Sequence, residues 1–288
     1  MHKTFSLIFS TLFILVSLQA CGQIGGYSKK DTGLQYRFFR GDGQNGNPQV
    51  TDIVTVKMDY FINDSLLFTS TKLGKPMQFP LSPAAFKGDF FEGIATMSSG
   101  DSASFLCPAD SVFLRIFRVK QMPPFVKPGD IMRFEIALDS FLTKEAFEEA
   151  KAAESQALIE ASNQSLKSYI AEKGITSVPT ESGLYYIETL KGTGKFPQKG
   201  ERIKVHYKGT LLDGTPFDSS FERNQPFEFV LGMGQVIRGW DEGLALMQEG
   251  GKATLILPFN LAYGERAAGQ IPPFSPLVFE VELIEIIK

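Results

Sequence analysis

Short β-type runs punctuate both halves of the chain, at 34–40, 53–62, 102–106 and 131–142 and again at 184–190, 202–211, 253–257 and 277–287. In 202–211, Ile203, Val205 and Tyr207 alternate with Lys204, His206 and Lys208, the period-two pattern of a strand with one face buried. Turn formers separate the runs: Gly41-Asp42-Gly43, Asn45-Gly46-Asn47-Pro48, Pro123-Pro124, Gly192-Thr193-Gly194 and the hairpin signal Asp213-Gly214. Strands so bounded predict antiparallel sheets. Within the second half only 238–247 has helical character, and it is short.

Between the two β regions the pattern changes. Residues 143–173 contain no Gly or Pro and are dominated by Ala, Glu, Lys, Gln and Ser, mostly good helix formers. Gly174, with Pro179 beyond it, supplies a stop. The stripe Phe147, Glu154, Leu158, Ala161, Ser165, Tyr169 is thin and interrupted by polar residues. A helix of this length extends about 45 Å, and so thin a stripe suits a partly solvated connecting helix. The flanking β regions also resemble each other. Gly33-Leu34-Gln35-Tyr36 answers Gly183-Leu184-Tyr185-Tyr186, the Gly93 and Met97 of 93–97 answer those of 243–247, and Phe134-Glu135 answers Phe279-Glu280. The sequence therefore predicts an α+β fold made of one duplicated domain, each copy a sheet wrapped around a short helix.

Length and charge agree with this division. A chain of 288 residues accommodates two domains. A net charge of −3 gives no electrostatic case for binding nucleic acid. Residues 1–20 begin with a short positive start and contain an apolar run, 5–18, too short to span a bilayer comfortably; they have the proportions of a signal peptide. The run ends Leu18-Gln19-Ala20-Cys21, which resembles the lipobox of bacterial lipoproteins and predicts Cys21 as a lipidated first residue. Gly22 rather than Asp then favours the outer membrane over the inner. Residues 21–32 read as a flexible tether. With Cys21 lipidated, Cys107 has no intrachain partner; its apolar surroundings predict a buried, inert thiol.

The second half carries a closer resemblance. Val205-His206-Tyr207-Lys208-Gly209, 213–220, Pro226-Phe227-Glu228-Phe229, 235–243, Ala262-Tyr263-Gly264, Ile271-Pro272-Pro273 and 277–283 occur in order, and over about 100 residues they resemble an FKBP-type peptidyl-prolyl cis/trans isomerase domain. The resemblance implies an isomerase that assists protein folding in the bacterial envelope, acting on Xaa-Pro segments of other proteins and needing neither metal nor organic cofactor. It implies a pocket lined by Tyr207, Phe217, Phe227, Val236, Ile237, Trp240, Tyr263 and Phe279, with Trp240 as floor. The Ile237 N–H and Tyr263 hydroxyl would donate to substrate carbonyls, Asp218 would accept from Tyr207, and Ile271 would sit on a loop over the pocket. Phe229 packs beneath. His206 lacks a triad and is an ordinary strand residue; no metal-ligand spacing or phosphate loop stands out.

The expected organisation is a signal peptide at 1–20, a tether at 21–32, a degenerate FKBP-like domain at 33–142, a linking helix at 143–173 and a catalytic domain at 180–288. Aligned on Phe68 and Gly93, the first copy replaces the pocket Tyr by Met58, the Asp by Thr69 and the Trp by Phe90, and sets Lys87 where Ile237 stands; it is expected to keep the frame and lose the activity. The rival expectation is a non-catalytic chaperone or assembly factor using both domains to bind clients. A membrane attachment through the lipid is expected, and a second copy of the chain is left open as a partner.

Overall fold

The computed structural model describes residues 26–44 and 46–287. Residues 1–20 and the lipidation candidate Cys21 lie outside them. The chain divides into two compact units that meet in sequence at residues 150 and 151.

In the first unit, β1 (Ser28–Lys29), β2 (Gln35–Arg40), β3 (Ile53–Ile62), β4 (Ser65–Thr69), β5 (Met77–Pro80), β6 (Ser102–Pro108) and β7 (Ile131–Leu142) form one antiparallel sheet of order β1-β2-β6-β7-β3-β4, with β5 also paired to β3. Helix α1 (Phe90–Ile94) is capped by Asp89, whose carboxylate accepts from the Glu92 N–H at 3.0 Å. A helical turn α2 (Ala109–Ser111) continues into a π-helical turn, Val112–Ile116. Alternation along β3 buries Val54, Val56 and Met58 against Phe90, Phe105 and Phe134. Full burial of each such side chain contributes about 1.5–3 kcal/mol.

Residues 27–29 are not the tether that the sequence suggested. β1 pairs with β2, and Tyr27 is buried with its hydroxyl 2.8 Å from Ser104 Oγ. The strand pairing and one buried aromatic side chain with a hydrogen-bond partner together tie down a short polar segment.

The second unit repeats the plan. Its strands β8 (Tyr185–Leu190), β9 (Arg202–Leu211), β10 (Pro216–Ser219), β11 (Phe227–Val230), β12 (Lys252–Leu257) and β13 (Leu277–Ile287) run β10-β9-β13-β12-β8, with β11 also on β9. Strand for strand this is the order β4-β3-β7-β6-β2 with β5 on β3, as duplication requires. Helix α4 (Arg238–Ala245) lies on the sheet through Gly243, where an added Cβ would come within 2.7 Å of Leu255.

Helix α3 (Lys144–Glu172) begins in the first unit and ends beyond the unit boundary, two residues before Gly174 (φ 61). Its buried face is Ser162 and Leu166, continued by Tyr169 and Ile170, packed against Ile256 and Val278 of the second unit's sheet. The expected stripe is right at Tyr169 and one position off before it: Leu158, Ala161 and Ser165 are exposed, and Ser162 and Leu166 are buried in place of the last two. The true face mixes Ser with Leu, so hydropathy alone misplaces it.

Candidate active site

Tyr207, Val205 and Ile203 point to one side of β9, and the β9 pairings set what meets them there. Asp218 lies opposite Gly209, Phe279 lies opposite Gly209 from the other neighbour, and Phe227 lies opposite Val205. The first turn of α4 adds Trp240, and the segment before it adds Val236 and Ile237. The loop after β12 contributes Tyr263 and Ile271, the latter held by paired backbone bonds with Ala268 at 3.0 Å each.

Together these residues enclose a cavity of about 720 Å³. All ten site residues named from the sequence line it: Tyr207, Phe217, Asp218, Phe227, Val236, Ile237, Trp240, Tyr263, Ile271 and Phe279. Gln235 and the loop residues Ala268, Gly269 and Gln270 line it as well and were not anticipated.

The walls are aromatic edges and faces. Tyr207 meets Trp240 at 4.8 Å and 78°, Phe279 meets Trp240 at 5.3 Å and 82°, and Phe217 meets Phe279 at 5.6 Å and 82°. Such edge-to-face pairs fix one another's orientation. Phe229, fully buried, supports Trp240 from below at 6.0 Å. The centre stays open because residue 209 is Gly: a Cβ there would fall 2.6 Å from the Phe217 ring and 2.8 Å from Phe279.

One wall is polar. The Tyr207 hydroxyl donates to Asp218, and Arg223 donates both to Asp218 and, at 2.9 Å, to the Tyr207 oxygen. Burial alone would raise the Asp218 carboxyl, but the Tyr207 and Arg223 hydrogen bonds outweigh it and hold the group below the usual carboxylate range. Burial, then Asp218, pushes the Tyr207 hydroxyl above its ordinary value. Tyr263 is raised by burial and by the Asp218 charge, and is still 42% exposed at the pocket mouth. Ser220 anchors the strand beneath: its Oγ accepts from the Tyr207 N–H at 2.7 Å and lies 2.9 Å from His206 Nδ1. Arg223 was missed from sequence because it lies on a turn with no periodicity; an Arg five residues after Asp218 was the available signal.

Ile237 caps α4 in an extended conformation (φ −62, ψ 148), and its carbonyl receives the Trp240 N–H at 2.9 Å. Its own N–H precedes the helical hydrogen-bond ladder. The arrangement is thus an apolar box with one charged wall and donors at its mouth. Among the described residues no group of three or more His, Cys, Asp or Glu is placed to hold a metal ion.

The first unit keeps the frame of this site and changes its contents. Register identifies the counterparts. Met58 lies where Tyr207 does, and Phe90 takes the place of Trp240, stacked on Phe134 at 4.3 Å and 27°. Ser70 accepts from the Met58 N–H at 2.8 Å, as Ser220 does from Tyr207. Counting back from this pair, Phe68 rather than Thr69 stands at the Asp218 position, and Thr69 stands at that of Ser219. The alignment of Phe68 with Phe217 was one residue off. Tyr60 replaces Gly209 and fills the opened space, stacking on Phe68 at 5.0 Å and 16°. What remains is a cavity of about 260 Å³ lined by apolar side chains and Tyr60. Lys87 is exposed on the loop before α1. Cys107 is buried in this unit's core, its thiol raised by burial, as an inert thiol should be.

Comparison with known proteins matches residues 193–284 to the family described as FKBP-type peptidyl-prolyl cis-trans isomerase. The chain is 53% identical over 106 residues to the FK506-binding protein of Neisseria meningitidis serogroup A, covering 36% of this chain and 97% of that one. It is 52% identical over 117 residues to the FKBP-type 22 kDa peptidyl-prolyl cis-trans isomerase of Escherichia coli, covering 40% of this chain and 55% of that protein's length, about half of it. Among solved structures, FkpA from Escherichia coli aligns at a TM-score of 0.41 and 38% identity over 49% of this chain and 68% of that one.

Proposed function

The chain belongs to the FKBP-type peptidyl-prolyl cis-trans isomerase family, and from that premise we propose that its second unit catalyses rotation about Xaa-Pro bonds in folding proteins. The observation that carries this is the single cavity into which Tyr207, Asp218, Trp240, Tyr263 and Phe279 converge. An Xaa-Pro bond must cross a barrier of about 20 kcal/mol. At the twisted transition state the amide loses resonance, its carbonyl oxygen carries less charge, and an apolar box favours that state over the polar planar amide. This is differential binding of the transition state, and each ~1.4 kcal/mol of it is a tenfold gain in rate. Trp240 forms the floor for the proline ring. The Ile237 N–H and Tyr263 hydroxyl hold the flanking carbonyls, and the Asp218–Tyr207–Arg223 wall fixes the box. No covalent intermediate is needed.

The same proposal places the protein in the bacterial envelope, carried by a lipid on Cys21, in the outer membrane by preference. It rests on the apolar run 5–18 followed by Leu18-Gln19-Ala20-Cys21-Gly22. Turnover of an Xaa-Pro tetrapeptide in a protease-coupled assay tests the activity, and a rate no faster than the uncatalysed one refutes it. Mass spectrometry of the mature protein tests the anchor: a diacylated Cys21 is expected, and an unmodified start elsewhere refutes it.

A further inference from the structure

The first unit's pocket retains its place in the fold but has exchanged the tyrosine–carboxylate pair for two apolar side chains. Phe68 stands where Asp218 does and Met58 where Tyr207 does, so no carboxylate and no tyrosine–carboxylate wall faces the cavity. Its volume, about 260 Å³, is below the 300–1,000 Å³ or so of small-molecule sites and has room for one large side chain. The π-helical turn Val112–Ile116 leads Ile116 and Phe117 into the lining, and the exposed Phe125 reaches the lining Phe117 through Phe113, with ring contacts of 6.1 and 5.4 Å.

Charge identifies the occupant further. Lys75, two residues before the lining Met77, Lys87, on the loop before Phe90, and Arg115 and Arg118, beside Ile116 and Phe117, are all exposed. None of the four forms an ion pair among the described residues. Of the carboxylates close to them in sequence, Asp89 is buried on the N–H groups of Ala85 and Glu92, Glu92 accepts from Thr32 and the Gly88 N–H, and Asp110 accepts from the Ser111 N–H at 2.6 Å. An apolar pocket whose flanking segments carry unneutralised cations complements an apolar group flanked by anions.

We infer that the first unit is a binding site for an unfolded polypeptide segment that inserts an aromatic or aliphatic side chain flanked by acidic residues, with no requirement for proline. A polypeptide is favoured over an acyl chain because the cavity holds one side chain and sits at the position where the duplicated second unit has its peptide-binding pocket. The site is distinct from the isomerase pocket, so its failure and that pocket's failure are separable.

The test is fluorescence anisotropy on the full chain with its second pocket saturated by an unlabelled Leu-Pro-Phe peptide. Two labelled, proline-free peptides are compared, one placing Phe-Leu between Asp and Glu residues and one placing it between Lys residues. The acidic peptide is expected to bind at least tenfold more tightly. Lys87→Glu with Arg115→Glu should weaken it about tenfold at low salt, less so as salt rises, with prolyl turnover unchanged. Phe117→Ala should weaken it while leaving its salt dependence intact. Equal affinity for the two peptides, loss of binding under prolyl competition, no binding up to about 1 mM, or tighter binding of decanoate than of the peptide would each overturn the inference.

Discussion

Gly209 and Tyr60 hold the same register position in two copies of one sheet, Gly209 opposite Phe279 and Tyr60 opposite Phe134. The absence of a side chain at the first leaves a box open between Phe217, Trp240 and Phe279. The phenol at the second closes part of it by stacking on Phe68 at 5.0 Å. Gly209→Ala should therefore damage the second unit's site: its Cβ would lie 2.6 Å from Phe217. Overpacking of this kind costs about 1–3 kcal/mol, and kcat/KM for an Xaa-Pro peptide should fall at least tenfold. Urea denaturation alongside the peptide assay measures both.

The Asp218 wall predicts a pH profile. The Asp218 carboxyl is held below its ordinary value in the folded protein and the Tyr207 hydroxyl above its own. A depressed carboxyl contributes stability that is complete above its unfolded pKa, near 4, and is lost as pH falls through the lower folded value. Activity should accordingly be flat from about pH 5 to 9 and decline only below about pH 4. Arg223→Ala removes one of the two side chains that lower the carboxyl, so the acid limb should move to higher pH. An acid limb unmoved in that variant would show that Arg223 is not coupled to Asp218.

Trp240 is the only tryptophan in the chain and is buried beneath the pocket. Its emission should change on titration with an Xaa-Pro peptide and saturate at the concentration that half-saturates turnover. A spectrum insensitive to peptide would place the substrate elsewhere.

Much of this was legible beforehand, and the exceptions have particular causes. Strands Ile53–Ile62, Ile131–Leu142, Arg202–Leu211 and Leu277–Ile287 stand where the residue pattern predicts them, because each follows a turn former and has a buried alternate face. The pocket residues were found through joined motifs, since an aromatic in a strand is usually core. Arg223 escaped because a turn residue has no period to betray it. The register of Phe68 was misjudged because it was matched to Phe217 by residue type, whereas Leu67 holds that position; the Ser70 and Ser220 hydroxyls, each bonded to a β-strand N–H, fix the true register. The face of α3 was right at Tyr169 but set one residue off at Ala161 and Ser165, because Ser162 belongs to it.

That corrected face makes its own prediction. Leu166 packs on Ile256 and Val278, so Leu166→Ala should destabilise the second unit by about 2–4 kcal/mol. Leu158 is exposed, and Leu158→Ala should stay within about 0.5 kcal/mol of the parent. Thermal melts followed by Trp240 emission compare them; equal effects would restore the original stripe.

The central claim is that isomerase activity resides in the second unit alone. Its most direct test is the peptide assay on the full chain carrying Asp218→Val and Tyr263→Ala together, with circular dichroism to establish folding. The predicted result is a folded protein whose rate has dropped by two orders of magnitude or more, toward the uncatalysed value. A folded double variant that keeps a large share of the parent's kcat/KM would contradict the account and place catalysis in the first unit as well.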